Sequence, residues 1–393
     1  MAARRPRVLG VVLVVLAAAA LVAVLWNGRG DSPDEQPSSG DTETPTDCLP
    51  MGGEVDTVQE LDKFARTVRG SPAFAGGDVG ASTRLQDGRQ LFVFGDTLRG
   101  DSFEGERFVR NSMLVVSKRC AQVVLPEDRG AVIPDRSDGV GYWPMSVVRI
   151  EFETLDLVGI SAQRVRATDD ASAGVFAFEI LGPSLATFVV PRGLSPQLVD
   201  RVDIGRDLAD PSRPMWGAAT AYEAPWVYVY GTARPRDATV GGFSLRVARV
   251  RPGDVLDTRA WRYWDGRSWQ SDSSAAEVLL PAQGGVSQTL SVFHQGKSWY
   301  AVSKRDEVLG TDLTLWRAPS PTGPFEVLEV AAQIPSDAAT GTLRYLPLAH
   351  PELLPQRGSV VVSYSQNNTD FAAVEDDPRI YRPRFLRVSL QPK

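Results

Sequence analysis

Short apolar segments separated by turn residues dominate the chain from about residue 70 onward. Runs of β-branched, aromatic and aliphatic residues end at Gly, Pro, Asp or Asn, as at residues 91–94, 227–230 and 360–364. This pattern is typical of short β-strands joined by tight turns. Residues 57–68 instead space their apolar positions as a helix does. The sequence therefore predicts an all-β fold with one short helix near its start.

The predicted strands fall into five similar groups, each opened by a polar or aromatic residue. The openers are Asp78, Trp143, Trp216, Gln288 and His350. They lie roughly 62 to 73 residues apart, a near-constant period that predicts a five-bladed β-propeller. In a propeller the openers would converge at one mouth of the central channel. A pair of β-sandwiches is the alternative, but it does not predict five similarly opened units.

The N-terminal part has a different composition. Residues 1–7 contain three arginines, and residues 8–26 form an uncharged apolar run. As a helix this run would be about 28 Å long, close to the hydrocarbon thickness of a bilayer. Because arginines favour the cytoplasmic side, we expect a cytoplasmic tail, a transmembrane signal-anchor over residues 8–26 and export of the rest. A cleaved signal peptide is the alternative.

Residues 27–47 are rich in Pro, Ser, Thr and Asp, which predicts a flexible stalk. The stalk would lead to a propeller domain over residues 48–393. The expected location is the cell membrane, crossed once, with the main domain extracytoplasmic. Both cysteines, Cys48 and Cys120, fall on the exported side, where a disulfide is favoured over two free thiols.

Charge and composition narrow the expected partners. The net charge is −6, so nucleic acid is not an expected partner. Two cysteines and two distant histidines do not make a metal cluster. The glycine-rich segments lack the spacing of a phosphate-binding loop. We therefore expect neither a metal nor another cofactor.

The most informative segment is GDVGASTRLQDGRQLFVFGDT, residues 77–97. It predicts a β-hairpin with an aspartate at each open end, Asp78 and Asp96. If the loop has three residues with Gly88 left-handed, Asp78 lies opposite Asp96; if it has two, the carboxylates point to opposite faces. Glycoside hydrolysis needs such a pair, one acid and one nucleophile or base. Capping of strand ends is the alternative use of both residues.

The same hairpin resembles the first blade of the domain-of-unknown-function 4185 family, some of whose members are endo-D-arabinanases that cut arabinan of actinobacterial cell walls. Residues 315–325 and 349–368 resemble blades of five-bladed glycosidase propellers in general. The resemblance implies a carbohydrate site in the central funnel. It places the acidic pair of the family on Asp78 and Asp96. Not every relative of this type is known to be an enzyme.

Further candidates for substrate binding are polar or aromatic residues near the expected channel mouth. They are Asn111, Tyr142, Trp143, Trp216, Gln288 and His350. The aromatic rings could stack on a sugar, although packing between blades would use them equally well. A satisfied buried histidine is the alternative for His350.

These observations predict an exported, membrane-anchored glycoside hydrolase that acts on a cell-wall polysaccharide, with arabinan-type furanosides as the expected substrate. Asp96 is assigned the acid role, and Asp78 the role of base or nucleophile. The expected partners are the polysaccharide and, through the N-terminal helix, the membrane. A non-catalytic carbohydrate-binding or envelope-scaffold propeller is the alternative.

Overall fold

The computed structural model describes residues 48–50, 55–67, 71–118, 120–170, 177–236, 240–307 and 310–391. Their strands form five antiparallel sheets that follow one another along the chain. The first strand of each main hairpin lies innermost, and these innermost strands contact one another in a closed cycle. The described residues therefore form the predicted all-β, five-bladed β-propeller.

The described part of the first blade contains six strands, two of which form the predicted hairpin. These are β1 (Cys48–Pro50), β2 (Gly76–Arg84), β3 (Gln90–Leu98), β4 (Phe108–Val109), β5 (Ser112–Val116) and β6 (Cys120–Val123). Their order across the sheet is β1-β6-β5-β3-β2, with β4 paired to β3. The hairpin strands β2 and β3 therefore lie on the channel side of the blade.

The second and third blades follow the same plan, from the channel outward in chain order. The second contains β7 (Gly141–Glu151), β8 (Leu155–Ala167), β9 (Phe178–Pro191) and β10 (Gln197–Asp203). The third contains β11 (Met215–Glu223), β12 (Trp226–Ala233), β13 (Ser244–Val250), β14 (Arg262–Trp264) and β15 (Trp269–Gln270).

The fourth and fifth blades complete the ring. The fourth contains β16 (Ser291–Gln295), β17 (Ser298–Lys304), β18 (Asp312–Ala318) and β19 (Glu326–Gln333). The fifth contains β20 (Thr342–His350), β21 (Ser359–Asn368) and β22 (Arg384–Ser389). Strand β20 contacts both β16 and β2, which closes the cycle of innermost strands.

The hydrophobic core is divided among the interfaces between neighbouring blades. Leu91 and Met113 of the first blade pack with Ile160 and Phe188 of the second in one buried cluster. Similar clusters join the third blade to the fourth and the fourth to the fifth. Each blade lies between two others, so both faces of its sheet are buried. This explains why the strands appear in the sequence as nearly continuous apolar segments.

The ring closes where the first blade meets the fifth. Gly77 N–H donates to the carbonyl of Tyr381 at 2.8 Å, and Val79 N–H donates to Ser365 Oγ at 2.9 Å. The buried Arg382 guanidinium donates twice to the carbonyl of Ala75, at 2.8 and 2.7 Å. Hydrogen bonds between residues about 300 positions apart therefore fix the start of β2 against the fifth blade.

Among the described residues, two α-helices accompany the blades, α1 (Val58–Thr67) and α2 (Phe371–Asp376). The first is the predicted helix. Its start is a capping box in which Glu60 N–H donates to Thr57 Oγ1 and Thr57 N–H donates to Glu60 Oε2. One-turn 3-10 helices occur at Pro252–Asp254, Thr258–Ala260, Ser273–Ala275 and Pro378–Ile380.

The predicted tail, anchor and stalk, residues 1–47, lie outside the described residues. Within the described ranges, no helix is long and apolar enough to cross a membrane. The predicted disulfide stays a prediction. Strands β1 and β6 pair so that Cys48 faces Gln122 and Cys120 faces Pro50, which puts the two cysteines on neighbouring strands.

Candidate active site

The hairpin of β2 and β3 has the three-residue loop. Leu85 N–H donates to the carbonyl of Arg89 at 2.8 Å, and Gly88 is left-handed at φ +88°. The pairing from Arg84 with Gln90 back to Ala81 with Val93 keeps this register. The turn therefore orients the strand ends as the first of the two sequence alternatives requires.

Two irregularities disturb the register near the open end. Val79 pairs with Phe94, and Gly77 pairs with Thr97. Asp78 therefore faces the Gly95–Asp96 segment within a bulge instead of pairing directly with Asp96. Val79 itself has φ +66°, a strained conformation for a β-branched residue. Such bulges re-aim side chains near functional sites.

A cavity of about 200 Å³, here called the acidic cavity, lies at this open end of the hairpin. It combines the carboxyl groups of blade one with side chains from the second, fourth and fifth blades. The lining residues used below are Asp78, Asp96, Trp143, Gln163, Glu307 and Tyr345. Both predicted aspartates therefore line one cavity that several blades build together.

Asp78 is held by two phenol groups of the fifth blade, Tyr345 on β20 and Tyr381 between β21 and β22. The Tyr345 hydroxyl donates to Asp78 Oδ2 at 2.6 Å, and Tyr381 also bonds this carboxyl group. Burial raises the pKa of Asp78 to about 6, and the bonds from Tyr345 and Tyr381 limit the rise. Burial and the nearby Asp78 charge raise the pKa of Tyr345, so its phenol remains a donor.

Asp96 is held by the second blade. Trp143 Nε1–H donates to Asp96 Oδ1 at 2.6 Å. Burial and the Asp78 charge raise the pKa of Asp96 to about 8, against the indole bond and the Arg110 charge, which lower it. The two carboxyl groups are therefore close enough to interact, and Asp96 retains its proton to higher pH than Asp78.

Gly95 allows this close approach. A Cβ at this position would lie 2.5 Å from Asp78 Oδ1 and 3.2 Å from Val79 Cγ2. The Asp78 carboxyl group therefore rests against the backbone of the opposite strand. Only glycine leaves room for this carboxyl group. The contact therefore explains on steric grounds why the Gly-Asp-Thr end of the hairpin begins with glycine.

Glu307 is a third carboxyl group on the acidic cavity, and the sequence did not suggest it. It lies just after β17 at φ +61°, and its Oε2 accepts the backbone N–H of Gln288 at 2.7 Å. Burial raises the pKa of Glu307 to about 7. Asp306 and Glu307 form a turn with left-handed backbone angles. Neither the composition nor the repeat period of the sequence predicts such a turn, so Glu307 was missed.

Two of the predicted substrate-binding residues line the acidic cavity, Trp143 and Gln288. The Trp143 ring also meets the Phe178 ring edge-on, with centroids 4.6 Å apart. Gln288 bonds through its backbone, since its carbonyl accepts from Thr232 Oγ1 at 2.7 Å. Both residues therefore lie at the acidic cavity together with Asp78 and Asp96.

Asn111 and Tyr142 hold the first two blades together instead. The Asn111 amide donates to the carbonyls of Ile133 and Tyr142, both at 3.0 Å, and its oxygen accepts Ile133 N–H at 2.7 Å. Tyr142 is buried in the core between these blades, and its hydroxyl donates to Asp203 at 3.1 Å. Fully bonded and buried side chains have no free surface for a substrate.

Trp216 is also a core residue. It packs against Gly231, where a Cβ would lie 2.6 Å from its ring, and against Tyr263 at 5.0 Å between ring centroids. It belongs to the buried cluster between the second and third blades. The alternative considered for the aromatic residues, packing between blades, is the one found here.

His350 lies at the wrong end of its strand for the predicted ring of openers. It is the last residue of β20, and its ring nitrogens contact Ser82 Oγ and Ser363 Oγ, both at 2.7 Å. It borders a different cavity, of about 320 Å³, to which all five innermost strands contribute. Tyr345, five residues earlier on the same strand, lines the acidic cavity instead.

Within the described ranges, no group of three or more His, Cys, Asp or Glu side chains is arranged to hold a metal ion. The acidic cavity instead offers carboxyl groups with separated pKa values, phenol and indole donors, and aromatic walls. Chemically, it can deliver a proton at one carboxyl group and accept charge at the other.

A five-bladed propeller with an acidic cavity at the end of its first hairpin is thus the class that the fold and the site define. Residues 59–390 match the family described as "Domain of unknown function (DUF5005)", and the chain belongs to this family. The likeness to the domain-of-unknown-function 4185 family remains a resemblance of the first hairpin. No curated protein matches the sequence significantly.

Solved structures share the architecture. A suspected hydrolase from Bacteroides ovatus is 19% identical with a TM-score of 0.60, over 91% of this chain and 97% of that chain. A family 43 β-xylosidase/α-arabinofuranosidase from a compost metagenome is 12% identical with a TM-score of 0.43, over 81% of this chain and 92% of that chain. A family 43 enzyme from Xanthomonas citri is 12% identical with a TM-score of 0.42, over 81% of this chain and 88% of that chain. The first likeness shows a common fold.

Proposed function

We propose that the protein is a glycoside hydrolase in which Asp96 is the general acid and Asp78 the base or nucleophile. The observation that carries this proposal is geometric: two buried carboxyl groups line one cavity, Asp78 bonded by the Tyr345 phenol and Asp96 by the Trp143 indole. Burial raises both pKa values, and the Asp78 charge raises that of Asp96 further, which favours an ionised Asp78 beside a protonated Asp96. Hydrolysis of a glycoside needs this combination of states.

The hydrogen bonds support the same assignment of roles. Phenol donors stabilise an ionised Asp78, whereas Asp96 lies against the Asp78 charge and favours its neutral form. Glu307 is the rival acid, with its pKa raised by burial to about 7. Its carboxylate is engaged by a backbone N–H of the fourth blade, which favours a positioning role over proton delivery.

We further propose a cell-wall polysaccharide as the substrate, with arabinan-type furanosides as the first candidates. The resemblance of the first hairpin to the arabinanase-containing family supports this choice, as do the aromatic walls of the acidic cavity. The description of the Bacteroides ovatus protein as a suspected hydrolase agrees with the reaction type. The apolar run at residues 8–26 supports a membrane-anchored, extracytoplasmic enzyme.

The test measures reducing ends released from arabinan, xylan and galactan by the full chain purified in detergent. Asp78→Asn and Asp96→Asn should each lower the rate by at least about 1,000-fold, since each removes one half of the acid–base pair. Asp101→Asn is the matched control, because the Asp101 side chain is 92% exposed and pairs with the half-exposed Arg107 on the surface. It should retain full activity.

Three outcomes would count against the proposal. Unchanged release by either active-site variant removes that aspartate from the mechanism. If Glu307→Gln abolishes release while Asp96→Asn does not, the acid is Glu307. Absence of release from every polysaccharide would favour the non-catalytic carbohydrate-binding alternative.

A further inference from the structure

Gln163 is a buried polar residue on the acidic cavity that the proposed acid–base chemistry does not use. It lies on β8, directly paired with Trp143 of β7, and is only 7% exposed. Its side chain lines the acidic cavity with Asp78 and Asp96. Its amide oxygen, Oε1, is buried and accepts no hydrogen bond from the described residues.

An unpaired acceptor at this position is unusual, because buried polar atoms almost always have a partner. The neighbours explain why the fold supplies none. The indole N–H of Trp143 is already given to Asp96. The cavity wall nearby is completed by the apolar side chains of Phe178 and Ile180.

We propose that the Gln163 amide binds a hydroxyl group of the sugar that occupies the acidic cavity and thereby determines substrate specificity. This inference rests on the proposed function. It identifies the sugar hydroxyl group as the part of the substrate that the site recognises. A sugar hydroxyl supplies the donor that Oε1 lacks, whereas a sugar without that hydroxyl leaves Oε1 unpaired again. Sites built to bond a hydroxyl reject analogues that lack it.

The unpaired acceptor also has a consequence for the free protein. A buried acceptor without a partner destabilises the fold, and an apolar residue of similar shape removes that cost. Gln163→Met should therefore leave the melting temperature unchanged or raise it while it impairs recognition. A residue that merely supports the fold would show the reverse.

The matched control is Gln295→Met. Gln295 Oε1 is also buried and unpaired among the described residues, but Gln295 ends β16 outside the acidic cavity. Both substitutions remove the same kind of unpaired oxygen. Only the change at Gln163 should alter ligand binding.

The experiment measures affinity by NMR titration in full chains that carry Asp78→Asn, so that no ligand is cleaved. The probes are methyl arabinofuranoside, methyl xyloside and methyl galactoside, each with its monodeoxy analogues. For the parent glycoside that binds most tightly, Gln163→Met should weaken binding about tenfold, the effect of one lost hydrogen bond. The affinity of one monodeoxy analogue should stay within about twofold, because that analogue never made the bond.

The inference is overturned if Gln163→Met leaves the parent affinity unchanged, or weakens the parent and every analogue equally. A melting temperature clearly below that of Gln295→Met also overturns it. If the hydroxyl-specific loss is found but the wild-type chain cleaves no polysaccharide, hydrolysis fails and the recognition role of Gln163 holds. If the chain cleaves a polysaccharide and Gln163→Met binds normally, only this inference fails. Binding of none of the probes rejects it as well.

Discussion

Tyr345→Phe tests the assignment of Asp78 with a change of one oxygen atom. The Tyr345 hydroxyl donates to Asp78 Oδ2 at 2.6 Å, and this bond lowers the pKa of Asp78 against the effect of burial. Its removal should raise the pKa of Asp78 further. If Asp78 acts in its ionised form, the acidic limb of the pH–activity profile must move to higher pH.

The expected size follows from the bond. A hydrogen bond to a charged group contributes about 1.5–3 kcal/mol, and one pKa unit corresponds to about 1.4 kcal/mol. Because Tyr381 still bonds Asp78, we expect a shift near the lower end, about one unit. The ionised fraction at pH 6 then falls from about one half to about one eleventh. Activity should fall about fivefold at pH 6 but by less than about a third at pH 7.5.

The assay is kcat/KM for the cleaved polysaccharide between pH 4 and pH 10, which reports groups of the free enzyme. Tyr222→Phe is the matched control, because the Tyr222 ring is 42% exposed on β11 and borders the other cavity. An equal loss at every pH would mean that Tyr345 only positions Asp78. A shift of the basic limb instead would show that Asp78 is the acid, and the assigned roles would be reversed.

Three further variants probe the same site. Trp143→Phe removes the indole donor to Asp96, so the pKa of Asp96 and the basic limb of kcat/KM should rise by about one unit; an unmoved limb contradicts the acid role. Gly95→Ala places a Cβ 2.5 Å from Asp78 Oδ1 and should lower kcat/KM about 100-fold, whereas Gly253→Ala, with open space around its Cβ, should not; equal activity would refute the close approach. Burial raises the pKa of Asp96 to about 8, so its ionisation destabilises the fold as pH rises from about 4 to 8. Asp96→Asn should therefore melt a few degrees above wild type at pH 8 and near it at pH 4 by calorimetry; a lower melting temperature at pH 8 contradicts this.

The periodicity of the apolar segments was sufficient to predict the five blades, because each blade repeats the same inward strand, turn and outward strands. The hairpin loop was predictable because Gly88 follows Asp87 between two apolar strands. The bulges at Val79 and Gly95–Asp96 were not predictable from the sequence. They depend on contacts with the fifth blade, such as the bond from Val79 N–H to Ser365, which are remote in sequence.

Asp78, Trp143 and Gln288 were predictable because each lies at or just before the start of an innermost strand. Asp96 was predictable because it lies at the open end of the same hairpin as Asp78. His350 was misplaced because strand β20 begins at Thr342, so the marker fell at its end. Gln163 and Glu307 lie on second strands or the turns that follow them, and their convergence depends on how blades rotate about the channel. A one-dimensional repeat contains no signal for that rotation.

The ring-closing contacts have a consequence for when the protein can become active. Asp78 is near the beginning of the propeller, whereas the phenols that bond it, Tyr345 and Tyr381, are more than 260 residues later in the chain. A partly synthesised chain therefore has both aspartates but lacks the phenols that bond Asp78. The chemistry is delayed until the last blade docks on the first, so activity is itself a measure of complete assembly.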